Sequence, residues 1–279
     1  MQQGKASRTA LRVAIRRAAH QLVDRPPVLD DPIAVRLIGL GYERDLERAA
    51  HTVARDFRAF MAARSRYAED HLAQAVEAGV RQYVVLGAGL DTFAYRNPHA
   101  ELRVFEADFP ATQAWKREML AAAGVEVPAN LRFVPLDLEH KTLMESLGEA
   151  GLDAAEPSFF SWLGVTPYLT LVGFRSTLWA IAQLPDGTGV TFDFAIPPEM
   201  LSPERRAVFD VLAGRVASAG EPFQLFFAPG EVEEEMRRAG FRRTEQADHN
   251  TLNELYFRDR QDGLKLSPVG IGMMATGWV

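Results

Sequence analysis

Residues 81–96, RQYVVLGAGLDTFAYR, constrain the fold of this chain more than any other stretch. Tyr83-Val84-Val85-Leu86 is a short apolar run rich in β-branched residues, the pattern of a strand buried on both faces of a parallel sheet. It stops at Gly87-Ala88-Gly89, where the chain needs either unusual backbone angles or room for a ligand. A strand running into a glycine turn is how doubly wound α/β folds open a ligand crevice at the carboxyl ends of their strands. A second strand, Leu102-Arg103-Val104-Phe105, leads into Glu106 and Asp108. These acids lie about 20 residues beyond the first glycine, the interval at which a carboxylate meets ribose hydroxyls. A dinucleotide site usually carries a third glycine three positions on, and that position holds Thr92. The turn therefore favours an adenosyl ligand without a pyrophosphate over a nicotinamide cofactor.

The remaining sequence supplies the other layers of such a fold. A third strand at residues 131–134 ends in Pro135-Leu136-Asp137-Leu138, and a fourth at 158–163 ends in Gly164-Val165-Thr166-Pro167-Tyr168. A helix over 172–184 precedes the turn Pro185-Asp186-Gly187 and a fifth strand over 189–194. A helix from 231 ends at Gly240, and residues 241–245 and 272–277 read as a closing antiparallel pair separated by a polar, Gly-rich segment. Strands and helices alternating at this rhythm predict a mostly parallel sheet covered on both faces.

Before the glycine-turn strand the chain is helical. Leu11, Ile15, Ala18 and Leu22 recur at helical spacing, with Arg8, Arg12 and Arg16 on another side. The segment shares amphipathicity and arginine content with a mitochondrial presequence, but a solvated basic face on an ordinary helix is the plainer reading. Asp30-Asp31-Pro32 signals a further helix start, and residues 43–79 are almost wholly helix-forming. There Phe57, Phe60, Met61, Arg64 and Tyr67 can share one face. The expected organisation is one domain over 1–279. Its parts are a helical cover over 1–80, a sheet core over 81–195 and 228–279, and an insertion over 196–227 above an acceptor pocket.

Composition bounds the function. A chain of 279 residues with 47% hydrophobic residues and a formal charge of −6 is globular and ill suited to a nucleic-acid backbone. With no cysteine, disulfides, thiolate catalysis and cysteine-ligated metal are excluded, which fits a cytoplasmic setting. No apolar run of membrane-spanning length occurs. The six histidines, His20, His51, His71, His99, His140 and His249, show no spacing that nominates a general base or a metal site.

The extended turn GAGLDTFAYR, then VFEADFP, FVPLDL and the Gly164-x-x-Pro167-Tyr168-Leu169-Thr170 segment resemble the leucine carboxyl methyltransferase-like family of class I S-adenosylmethionine-dependent methyltransferases. That family includes many bacterial O-methyltransferases. The resemblance implies a doubly wound seven-stranded sheet with its last strand antiparallel, and S-adenosylmethionine as cofactor. It places Gly87, Ala88 and Gly89 against the cofactor's amino-acid part, Asp108 on the ribose with Glu106 and Phe109 nearby, and Asp137 and Leu138 at the adenine. Arg64 matches the arginine that grips the methionine carboxylate, a task suited to a guanidinium fork. Leu163 and Gly164 complete the set. Many members carry a glutamate at the position of Leu163, able to meet the cofactor's ammonium group, which must here find another partner.

The reaction so implied is transfer of a methyl group to a carboxylate or hydroxyl oxygen of a small-molecule acceptor, with Tyr67, Tyr168, Phe194 and Phe223 as candidate pocket residues. Nucleic acid and membrane are not expected partners. Methylation of a protein's C-terminal carboxyl group and a cofactor-binding partner protein without turnover are the alternatives. A nicotinamide-dependent oxidoreductase is opposed by Thr92 and by the lack of a Tyr-x-x-x-Lys pair.

Overall fold

The computed structural model describes residues 8–39, 41–50, 55–136, 142–218, 220–267 and 271–279. Among them run seven strands, β1 (Gln82–Leu86), β2 (Arg103–Asp108), β3 (Leu131–Pro135), β4 (Ser158–Trp162), β5 (Gly189–Ala195), β6 (Arg243–Ala247) and β7 (Gly272–Trp278). They form a single sheet in the order β3-β2-β1-β4-β5-β7-β6. The first five are parallel, and β7 lies antiparallel between β5 and β6. This is the doubly wound architecture that the alternating strands and helices predict.

The apolar runs form central strands because they can bury both faces. Val84 lies beside Phe105 and Phe160 on one face, and Tyr83 beside Val104 and Phe159 on the other. All six are buried. The first face packs beneath α6 (Leu143–Glu149), α7 (Leu171–Ala182) and α9 (Glu231–Ala239), through Leu147, Phe174, Leu178, Val232 and Met236. The opposite face carries α4 (Arg55–Glu77), which presents Leu72 and Ala75. Gly79 ends that helical segment in the left-handed region, at φ +102°, a conformation that favours glycine.

The cover comprises α1 (Arg8–Val23), α2 (Pro32–Ile38), α3 (Glu43–Ala50) and α4. Asp31 caps α2 by accepting from the Ala34 amide at 3.1 Å. The described residues of the stretch 43–79 form α3 and α4. Between β2 and β3 lies α5 (Pro110–Ala122), and the insertion contains α8 (Pro203–Ala217). Ahead of the polar, Gly-rich stretch that begins at Asp259, the segment joining β6 to β7 opens with a helix not expected from the sequence, α10 (His249–Tyr256). Its start is fixed by Asp248, whose carboxylate accepts from the Thr251 amide at 2.8 Å, and it is anchored by fully buried Leu252. No described helix is long and apolar enough to cross a membrane.

Glu106 and Lys116 bury an ion pair between β2 and α5, with Nζ to Oε2 at 2.5 Å. The other carboxylate oxygen, Oε1, is buried without a partner. Burial pushes the Glu106 carboxyl up from its ordinary 4.5 to about 7, although Lys116 pulls the other way. The folded protein thus holds a proton that the unfolded chain has released, so this group's contribution to stability falls as pH rises through that window. Urea unfolding at a series of pH values should show this fall in the wild type. The paired change Glu106→Gln with Lys116→Met should remove it, and identical slopes in the two proteins would contradict the assignment.

Candidate active site at the carboxyl edge of the sheet

The glycine turn forms the floor of the site. Gly87 and Gly89 have φ of +66° and +48°, which lets the chain turn sharply at the end of β1. The amides of Gly87 and Ala88 both donate to the Ala107 carbonyl, at 2.8 and 3.1 Å. Asp108 secures the turn from the neighbouring strand, accepting from the Gly89 amide at 2.6 Å and from the Phe109 amide at 2.7 Å. Each oxygen so engaged keeps a further lone pair for a ligand hydroxyl. Burial raises the Asp108 carboxyl above the usual aspartate range, and the two amides oppose that rise. A Cβ on Gly87 would sit 2.4 Å from Val165 Cγ2, so the cradle closes around a bare backbone.

Thr92, at the third-glycine position, has a structural task. Its hydroxyl donates to Asp31 Oδ1 at 2.7 Å and accepts from Arg17 Nη2 at 2.5 Å. Arg17 also pairs with Asp31 at 2.5 Å and with Asp91 at 3.1 Å. Arg17, Asp31 and Thr92 are buried. They clamp α1 onto the glycine turn, where Ala10 leans against Gly89. The basic residues of α1 are therefore not all on a solvated face. Arg12 is exposed, but Arg17 is a buried anchor whose partners lie too far along the chain for helical periodicity to show.

Arg64 enters from α4. Its Nη1 donates to Asp193 Oδ2 at 2.9 Å, while Asp193 Oδ1 accepts from the Gly164 amide at 2.5 Å. The Arg64 Nε is buried without a partner. Gly164, at φ +70°, lets the loop after β4 lie on the guanidinium, since a Cβ there would fall 2.9 Å from Nη2.

These elements line a cavity of about 340 Å³. Arg64, Gly87, Ala88, Gly89, Asp108, Phe109, Leu163, Gly164 and Tyr168 all line it. Asp137 and Leu138 lie outside the described residues, as do His51 and His140; Leu136, just before them, lines the cavity. Four expected residues do not line it. Glu106 is held by Lys116, away from the cavity. Tyr67 donates to Glu245 at 3.2 Å. Phe194 lies in the core against Phe227, because neighbouring residues on a strand face opposite ways and Asp193 takes the site-facing position. Phe223 packs on Tyr168 with ring centroids 5.2 Å apart and so backs the wall. Sequence reasoning missed Thr9, Arg17, Asp91, Glu221 and Gln224, which line the cavity, and Asp193 behind it. The acidic end of the glycine turn, Asp91, was visible in the motif; the others carried no local signal.

The family model for leucine carboxyl methyltransferase matches residues 10–182. The chain belongs to the leucine carboxyl methyltransferase family. It is 31% identical over 291 aligned positions to a Bacillus subtilis protein named for S-adenosyl-L-methionine-dependent methyl transfer, YktD, covering 95% of each chain. A similarly named protein of Mycolicibacterium paratuberculosis is 35% identical over 197 positions, 65% of this chain and 62% of that one. Among solved structures, a DUF574 family protein from Streptomyces avermitilis superposes with a TM-score of 0.59 at 16% identity, covering 99% of this chain and 98% of that one, and shares the fold. As a leucine carboxyl methyltransferase family member, this protein is an S-adenosylmethionine-dependent methyltransferase. The site fits that cofactor on its own chemistry, with a bare-backbone cradle at Gly87, an unpartnered buried guanidinium nitrogen at Arg64 and a carboxylate at Asp108 with lone pairs to spare.

Gly87→Ala should destabilise the protein by about 2 kcal/mol or more, since it adds both left-handed strain and the Val165 clash. Val165→Ala in the same chain should recover only the clash. Thermal unfolding of the single and double variants measures both parts, and a neutral Gly87→Ala would show that the turn has slack.

Proposed function

We propose that this methyltransferase transfers the methyl group to an oxygen of a small-molecule acceptor. The cavity carries the proposal: α1 and the loop at residues 220–224 both line it at the carboxyl edge of the sheet and cover it in part, the kind of recess in which a small acceptor meets a bound cofactor. A partial cover of this kind suits a small acceptor better than a protein tail. A cytoplasmic setting fits the cysteine-free composition.

In this reading Arg64 holds the cofactor's amino-acid carboxylate through nitrogens not used by Asp193. Asp108 accepts from the ribose hydroxyls, with Phe109 beside it, and Asp137 and Leu138 meet the adenine. Leu136, Leu143 and Trp162 supply apolar wall to the same cavity. Gly87, Ala88, Gly89, Leu163 and Gly164 approach the ligand with backbone or apolar surface. When bound, the cofactor supplies a methyl group already activated by its positively charged sulfur. The protein's own contribution is alignment within a largely apolar recess.

Isothermal titration with S-adenosylmethionine, S-adenosylhomocysteine and NADH tests the cofactor part. Both adenosyl ligands should bind with micromolar affinity and NADH should not; binding of NADH alone would overturn it. Arg64→Lys should weaken both adenosyl ligands about tenfold or more, because an ammonium cannot reproduce the guanidinium fork. Unchanged affinity would remove Arg64 from the carboxylate.

A further inference from the structure

Three arginines meet at the rim of the cavity. Thr9, Val13 and Arg16 fall at spacings of four and three on α1 and so share a face, and the first two line the cavity. Arg16 carries that face past the cavity's edge. Its guanidinium carbon lies 4.6 Å from the centre of the Phe57 ring, and its Nη1 donates to the Arg12 carbonyl at 2.9 Å. Phe57 stands on the same helix as Arg64, two turns or about 10 Å before it. The third arginine, Arg215, belongs to the last turn of α8, just ahead of the segment 220–224 that also lines the cavity. The hydrogen bond from Thr9 to Glu221 holds that segment to α1.

No acid lies within the group. Among the described residues no carboxylate pairs with Arg12, Arg16 or Arg215. Arg12 and Arg215 are exposed, whereas Arg16 is half-buried and its Nε is buried without a partner. Buried donors almost always have a partner in protein, water or an ion, so this nitrogen needs one. Burial, then Arg12, then Arg215 pull the Arg16 guanidinium down from its ordinary value to about 10. It is still charged at neutral pH, beside two like charges, on a chain whose formal charge is −6. An oxyanion among the three would relieve that repulsion and offer acceptors to the guanidinium groups.

We infer that Arg12, Arg16 and Arg215 form an anion subsite at the mouth of the cavity, and that the methyl acceptor carries a carboxylate or phosphate group there while its reacting oxygen enters the cavity. The inference rests on the small-acceptor reading above. With the cofactor bound, that reading gives Arg64 to the cofactor's own carboxylate, and Arg17 is held by Asp31 and Asp91. A second anionic group therefore meets its cations at the rim. Placed there, the anion orients an elongated acceptor with its other end inward.

Equilibrium dialysis against the full chain saturated with S-adenosylhomocysteine tests this with two probes, naphthol and a hydroxynaphthoate whose hydroxyl and carboxylate stand on opposite rings. At about pH 7 the carboxylate is ionised and the phenol is not. Hydroxynaphthoate should bind at least about tenfold more tightly than naphthol. Arg16→Gln and Arg215→Gln should each remove most of that preference, while S-adenosylhomocysteine and naphthol bind as they do to the wild type. Because Arg215 is exposed, its change tests the subsite without touching the packing of Arg16 on Phe57. Arg238→Gln, on α9 and already paired with Glu234 and Glu235, should leave the preference unchanged. Equal binding of the two probes, or a preference that survives both rim changes, would overturn the inference and leave the small-acceptor reading standing. Inorganic phosphate that binds at the three arginines with no gain for hydroxynaphthoate would place a free anion there and overturn the acceptor's anionic end. Binding of neither aromatic probe would overturn the small-acceptor reading as well, and failure to bind S-adenosylhomocysteine would overturn the cofactor reading with them.

Discussion

The buried hydrogen bonds of Thr92 with Arg17 and Asp31 join two parts of the chain that would otherwise have little reason to meet. One is an arginine-rich helix near the start of the described chain; the other is the loop that follows the first strand. Burying such charges is costly, and the arrangement is stable only because each charge is met from several sides. Arg17 reaches two carboxylates and a hydroxyl, and Asp31 also faces Arg96, which is in turn paired with Glu69 on α4. Removal of one partner leaves the others desolvated, at a cost of about 3–5 kcal/mol. The clamp therefore fixes α1 in one place.

That placement gives the site its shape. With α1 clamped, Ala10 and Thr9 stand over the glycine turn, and Thr9 reaches across to Glu221 on the far rim. The sheet supplies the floor through Gly87, Gly89 and Asp108, while α4 delivers Arg64 from the side. Asp193 and Gly164 hold the guanidinium by one edge, leaving Nε without a protein partner. The Gly87 and Ala88 amides are held by the Ala107 carbonyl and the Asp108 carboxylate by two backbone amides, so a ligand meets a preset floor and little reorganisation is needed.

Much of the fold was legible in the sequence, because parallel strands buried on both faces must be continuous apolar runs and glycine turns must follow them. That Gly87, Gly89 and Asp108 belong to the cavity was legible from the strand, turn and acid pattern, and that Arg64 does was legible from the family resemblance. Other features were set by long-range geometry. Phe194 and Asp193 are one position apart on β5, and only the packing of the sheet decides which of them faces the site. Glu106 lies two positions from Asp108, yet Lys116 on the following helix captures its carboxylate. Thr92 was read as a missing glycine, which correctly argued against a pyrophosphate, but its hydroxyl bonds to α1 depend on a helix some 70 residues earlier. Helix α10, with only two buried residues, has too few apolar positions for a period to show.

The most direct measurement is a crystal structure of the protein with S-adenosylhomocysteine. The predicted result places the ribose hydroxyls on the Asp108 carboxylate and the amino-acid carboxylate on Arg64, above an unaltered turn at Gly87–Gly89 and beneath α1 still clamped by Arg17. A ligand bound elsewhere, or one in this cavity whose carboxylate avoids Arg64 and whose ribose avoids Asp108, would contradict it.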